Sequence, residues 1–248
     1  MSVIFIMWLR ELRRYTRSRA QIIGSLGQPL LYLLALGFGM GPVFQKAGQG
    51  NYVQFVAPGV IAMTVLFSSM FSGIGLLFDR QFGFLKETLV APVPRFHVMF
   101  GRTLGASTVA VLQGTLVMVV SFIAGFRVVN WATFPLAFLF MGLIACLFAS
   151  LGTAIGSALE NMQGFQLIMN FLVLPMFFLS GALYPINNLP KLFGIIVSLD
   201  PLAYGVDALR TVLIGRSHYG LTLDVTVMTV VALVFLAAGT RMFSKIQV

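Results

Sequence analysis

The chain has 248 residues, 58% of them hydrophobic and only 9% charged, with a mean hydropathy of +0.96. A soluble domain carries about 25% charged residues, so this chain lacks the polar surface to live in water and reads as an integral membrane protein. Its formal net charge of +9 does not point to nucleic acid, because most basic residues flank long apolar runs instead of forming one basic face.

The chain opens with an amphipathic helix over residues 1–20. Ile4, Trp8, Leu12 and Tyr15 recur at helical spacing while Arg10, Arg13, Arg14 and Arg17 take other faces, the pattern of a helix lying along a membrane surface. It serves as a topology anchor, a protein contact, or both. Five arginines before the first apolar run make this segment too charged for a cleaved leader.

A spanning helix takes about 20 apolar residues, since backbone groups facing lipid must pair within the helix. Six segments qualify: Ile22 to Met40, Val53 to Leu77, Thr103 to Phe126, Thr133 to Ser157, Leu167 to Leu183 and Leu223 to Thr240. With the N-terminus inside, Arg10, Arg13, Arg14, Arg17, Arg19, Arg80, Lys86, Arg95, Arg102, Arg241 and Lys245 fall on one side. Only Lys46, Arg127, Lys191, Arg210 and Arg216 fall on the other, so both termini are expected in the cytoplasm.

Two connections stand out. Between the second and third spans, Phe78 to Arg102 is rich in charge, with Pro92 and Pro94 ending any helix near Ala91. A short helix from about Asp79 to Val90, running off the membrane, is expected, and a short polar helix needs packing to stay folded. After the fifth span, residues 184–222 hold apolar pieces too short to cross, punctuated by Pro185, Pro190 and Pro201. They read as a re-entrant or interfacial helix pair on the outer side, with a seventh span as the competing reading. Small-residue pairs Gly37/Gly41, Gly101/Gly105 and Gly152/Gly156 are expected to let helices of the same chain approach closely.

Enzyme chemistry is missing from the residue types. No lysine follows a glycine as a phosphate-binding loop requires. The only histidines, His97 and His218, fall on opposite sides, so neither an HExxH zinc site nor an intramembrane serine–histidine pair can be assembled. Apart from Asp224 at the outer edge of the last, none of the six predicted spans contains Asp or Glu, and Asp224 is counted with Asp200, Asp207 and Arg210 of the outer connection. A path without fixed charge suits amphipathic or uncharged cargo driven from outside the bilayer. The lone Cys146 reads as a small buried hydrophobe.

Three stretches carry a family resemblance: FDRQFGFLKETLVAPVPR (Phe78 to Arg95), LSGALYPINNLP (Leu179 to Pro190) and DPLAYGVDALR (Asp200 to Arg210). In their types and order along the whole chain they resemble the ABC-2-type exporter permeases, toward the drug and nodulation-type branch. The resemblance implies an all-α membrane protein with one transmembrane domain over 1–248: six spans, an amphipathic N-terminal helix, a coupling helix over 78–95 and re-entrant outer helices. It implies a bacterial inner-membrane exporter subunit for a drug, lipid-like or saccharide cargo, without its own ATPase site. ATP and magnesium would belong to a separate ATP-binding subunit present in two copies, and a second permease copy, identical to this one, would complete the path among membrane lipids.

On these residues, Glu87 would be the central contact to the ATP-binding subunit, with Asp79, Arg80 and Arg95 around it and Glu160 in a second contact. Phe67, Phe71, Asn170, Phe171 and Phe177 would line the path; Tyr184, Pro185, Pro201, Tyr204, Asp207 and Arg210 would form the outer gate. Plainer readings stand beside these. Glu87 reads equally as a solvated acid, the phenylalanines as packing or lipid-facing residues, Asp207 and Arg210 as a helical pair, and Tyr184 and Tyr204 as interfacial anchors. A stand-alone channel or secondary carrier is the alternative function, and a membrane enzyme a more distant one.

Overall fold

A computed structural model describes residues 2–46, 51–84, 93–186 and 190–244. Among these residues the regular structure is entirely helical. Six helices are long and apolar enough to cross a membrane. The described residues are thus those of an all-α membrane protein with six candidate spans, as the hydropathy predicts.

α1 (Val3–Arg17) is capped by Ser2, whose hydroxyl accepts from Phe5 N, and has Arg14 and Arg17 in its last turn, where cations complement the helix dipole. Its apolar side packs against the protein, with Met7 and Tyr15 buried. α2 (Arg19–Lys46) is the first span, with Pro29 and Pro42 inside it and Leu31 and Phe38 exposed. Exposure of large apolar side chains is the normal state of a surface that faces lipid.

α3 (Tyr52–Phe71), capped by Asn51, is the most buried span. It turns at Ser72 and Gly73 and continues as α4 (Ile74–Gln81). α5 (Arg95–Ile123) and α6 (Phe134–Ala158) flank it. α7 (Met162–Leu179) lies toward the outside with Pro175 in it. α8 (Lys191–Leu199) and α9 (Pro201–Ile214) meet at Asp200 and are bent by 90°. Asp200 accepts from Leu202 N and Pro201 occupies the first turn, which starts α9 cleanly. Gly215, with φ 72°, closes it in the left-handed conformation. α10 (Leu221–Ser244) is the last span.

The core sits where α3, α5, α6 and α9 meet, built on Ile61 and Leu66, Val117, Ile144 and Phe148, and Leu209 and Leu213. Lipid tails are as apolar as these side chains, so close packing holds the bundle where hydrophobic burial cannot. Glycine makes the tightest approach possible. A Cβ on Gly156 would lie 2.6 Å from Gly73 O, and one on Gly152 or Gly73 would run into the facing backbone of the other helix. Gly101 and Gly105 do the same for α1: their Cβ atoms would lie 2.8 Å from Ile4 O and 2.7 Å from the Glu11 Cβ. Both pairs serve packing within the chain, whereas Gly41 faces open space.

Three sequence expectations need correction. The helix expected from Asp79 to Val90 does not begin at Asp79: α4 carries on from the second span to Gln81, and Gly83, with φ 80°, follows it. Residues 85–90 of the expected helix lie outside the described residues. The third span begins at Arg95, well before Thr103, so Arg102 lies within it. The last begins at Leu221, which puts Asp224 in its first turn and a carboxylate inside a spanning helix. In each case a helix continues past the apolar segment because its polar residue has a protein surface to face.

Candidate functional site

Three charged helix segments converge at the end of the bundle that holds α1. Arg102 on α5 donates from Nη1 to Asp79 Oδ2 at 2.5 Å, and Arg10 on α1 donates from Nη2 to Asp79 Oδ1 at 2.6 Å. Glu11 Oε1 stands 4.0 Å from Arg102 Nη2. Asp79 is 5% exposed and Arg102 likewise 5%, so their attraction is little screened by water. The Trp8 indole N–H adds a 3.0 Å hydrogen bond to Thr108. α1 is thereby clamped to α4 and α5, beside the point where the 82–92 connection leaves the bundle.

Next to the clamp a cavity of about 490 Å³ opens between α1, α2, α3, α4 and α5, within the usual range for ligand sites. Phe67 and Phe71 form part of its wall, their rings stacked 6.2 Å apart and 14° from parallel. Gln28, Thr64, Ser68 and Gln113 give it neutral polar groups, and Glu11, Arg14 and Tyr15 come from α1. The Tyr15 hydroxyl is buried, and the hydrogen-bonding side chains that act on it are Gln113 and Ser25. Burial pushes its pKa up, with Gln113 and Ser25 facing it and acting the other way.

A second polar feature lies on the same end. Arg80 donates to Leu159 O at 3.3 Å and to Glu160 at 3.1 Å, and these two residues border a groove with Gln81, Asn161 and Gln163. Glu160 is largely solvent-facing, so this pair is weak and free to exchange partners. Arg95 donates to Ser244 O, tying the start of α5 to the end of α10.

The opposite end is held by carbonyl contacts. The Arg210 guanidinium donates to Gly181 O at 2.8 Å and Ala182 O at 2.9 Å and lies 3.9 Å from the Phe55 ring centroid. Tyr52 donates to Leu183 O at 2.9 Å. Asp207 accepts from His218 N and Tyr219 N, both at 2.8 Å, fixing the turn before α10. Arg210 and Asp207 therefore serve different partners, and no ion pair joins them among the described residues.

The residues singled out from the sequence thus fall in several places. Glu87 lies outside the described residues. Asp79 sits in the buried clamp, and Arg80 with Glu160 borders the groove. Phe67 and Phe71 line the cavity. Asn170 and Phe171 are on the exposed face of α7, whereas Phe177 is fully buried, with Tyr32 edge-on at 5.7 Å. Tyr184 donates to Leu179 O, Tyr204 to Ser198 O, and Pro185 is exposed. Sequence reasoning did not find Arg10 and Arg102 as partners of Asp79, Glu11 beside Arg102, nor Tyr15 and Gln113 as cavity residues; unpaired charge inside an apolar segment was the only available signal.

Residues 2–214 match the family described as ABC-2 type transporter. The chain belongs to that family. Among curated proteins it is similar to Nodulation protein J of Rhizobium leguminosarum bv. viciae, with 26% identity covering 96% of this chain and 93% of the relative. Nodulation protein J of Sinorhizobium fredii is 28% identical over 94% of the chain and 90% of the relative. The putative transport permease ycf38 of Cyanophora paradoxa is 29% identical over 84% and 72%. In this ABC-2 family protein, the matched region takes in the clamp, the cavity and the helices α8 and α9.

Proposed function

We propose that the chain is the permease subunit of an ATP-driven exporter, both termini in the cytoplasm, working as two copies with two ATP-binding subunits in a bacterial inner membrane. The single observation that carries this reading is the clamp on Asp79. It joins α1, α4 and α5 at the root of the 82–92 connection, and α4 continues directly into α3, the most buried span. A push on that connection would therefore be delivered to α1 and to the centre of the bundle as one movement. ATP and magnesium belong to the partner chain in this scheme, with Glu87 and the Arg80–Glu160 groove as its docking points. α1 lies along the inner surface, and α8 with α9 forms a re-entrant pair outside.

The cargo class is amphipathic. The cavity wall combines stacked phenylalanines with neutral hydrogen-bonding groups, a surface for a molecule with one apolar and one polar part. Reconstitution tests the scheme. Liposomes holding the chain together with its ATP-binding subunit should hydrolyse ATP faster than the ATP-binding subunit alone, and the chain alone should not hydrolyse it. Equal hydrolysis with and without the chain would remove the coupling.

One observation favours a second reading, a stand-alone ion-coupled carrier. Asp224 is 0% exposed within the last span, and neither carboxylate oxygen has a hydrogen-bond partner. Buried intramembrane acids are the usual ion sites of carriers. Uptake by the chain alone, driven by a proton gradient and lost in Asp224→Asn, would establish that reading.

A further inference from the structure

The mouth of the cavity holds an uncompensated cation. Arg102 is paired with Asp79 and faced by Glu11, but Arg14, which lines the cavity, has neither an acidic nor a carbonyl partner among the described residues. Its guanidinium is folded over Gly75. A Cβ there would lie 2.9 Å from Arg14 Nη1 and 3.6 Å from Arg102 Nη2, so two guanidiniums converge on one glycine that also lines the cavity. Asp79 and Glu11 already answer Arg102, which leaves the solvent-exposed Arg14 as the cation able to take an added anion. The second observation is independent: the Tyr15 hydroxyl is buried at the same cavity, with only the neutral side chains of Gln113 and Ser25 acting on it. A phenol so placed can turn its O–H to a ligand in the cavity. Beyond these groups the wall turns to Met63, Phe67 and Val109.

We propose that this cavity is a binding site for an inner-leaflet phospholipid, its phosphate seated at Arg14 over Gly75 and the first part of a tail against Met63, Phe67 and Val109. Guanidinium and phosphate are a matched pair, with planar donors meeting tetrahedral oxygens. The Tyr15 hydroxyl supplies a neutral donor, and Gly75, lacking a Cβ, lets the Arg14 guanidinium lie close over α4. In the proposed orientation the arginine end lies at the inner membrane surface, where anionic headgroups are found. A lipid here would bridge α1 to α3 and α4 at the clamp. The site rests on that orientation and not on ATP coupling.

Native mass spectrometry of the purified full chain in neutral detergent tests the proposal, with phosphatidylglycerol, diacylglycerol of the same tails, and inorganic phosphate as probes. Wild type should retain one phosphatidylglycerol per chain and no diacylglycerol. Arg14→Gln should weaken retention about tenfold, the loss of one charge-assisted contact, and Arg14→Lys should recover part of it. Arg13→Gln, equally exposed on the same helix but not lining the cavity, should change it less than about twofold. Ser68→Trp, which fills the cavity, should abolish retention while the unfolding temperature stays near wild type. Equal losses in the Arg13 and Arg14 variants would reduce the effect to general surface attraction and overturn the site. Diacylglycerol retained as well as phosphatidylglycerol would overturn the phosphate seat, and displacement by millimolar inorganic phosphate would overturn the lipid as its source.

Discussion

Asp79→Asn removes the charge at the centre of the clamp while keeping the shape of the side chain. In wild type the carboxylate serves two guanidiniums at 2.5 and 2.6 Å. The two contacts are unequal. The Arg102 side chain is 6% exposed, and breaking a buried pair by removing one partner costs about 3–5 kcal/mol, because a charge is left without compensation. Arg10 is 37% exposed, so its share is screened to about 0.5 kcal/mol. Glu11, 4.0 Å from Arg102, and the remaining amide oxygen of Asn offset part of the loss, which places the net cost at the low end, about 3 kcal/mol. For a chain of this size about 1 kcal/mol moves the unfolding temperature by 2–4 °C, so the variant should unfold about 6–12 °C lower in detergent. Arg10→Gln should lower it by only about 1–2 °C. The double variant Asp79→Asn/Arg102→Met, with no buried charge left, should recover most of the loss. A shift below 1 °C for Asp79→Asn, or a double variant as unstable as the two single losses added, would refute the buried clamp.

Other outcomes follow from the same geometry. Gly73→Leu, facing the Gly152 backbone, should abolish the folded protein as judged by gel filtration, since overpacking against rigid backbone costs at least 1–3 kcal/mol and cannot relax here. Arg210→Lys keeps the charge but loses the planar contact to two carbonyls and to Phe55; a loss of about 1–3 kcal/mol should appear as a lower unfolding temperature. Asp224→Asn should be neutral or stabilising in the same assay, because the buried carboxylate has no partner to lose. Glu160→Ala should change the unfolding temperature by under 2 °C, as the acid is 81% exposed, but should lower ATPase stimulation if the groove is a docking point.

The spans were legible because membrane thickness fixes the length of an apolar helix; α6 matches the predicted segment to within a residue or so. The helix-packing roles of Gly101, Gly105, Gly152 and Gly156 were legible from spacing alone. What was not legible follows from the solvent. In lipid, buried and exposed faces are equally apolar, so nothing in the sequence separates Phe177, fully buried, from Phe171, 84% exposed. Nor does local composition say which charges meet across the bundle. Asp79 reads as part of a polar connection until α1 and α5 bring Arg10 and Arg102 onto it. Gly73 was invisible for the same reason: it has no glycine at four-residue spacing, and its partner lies on α6.

The account turns on a docking contact between this chain and an ATP-binding subunit, and co-purification tests it most directly. The ATP-binding subunit should be recovered with the detergent-solubilised wild-type chain and with Arg13→Glu, and should be lost, together with stimulated ATP hydrolysis, from Glu87→Arg. Recovery of no ATP-binding subunit with wild type, or undiminished recovery with Glu87→Arg, would contradict the exporter mechanism and leave the carrier reading in front.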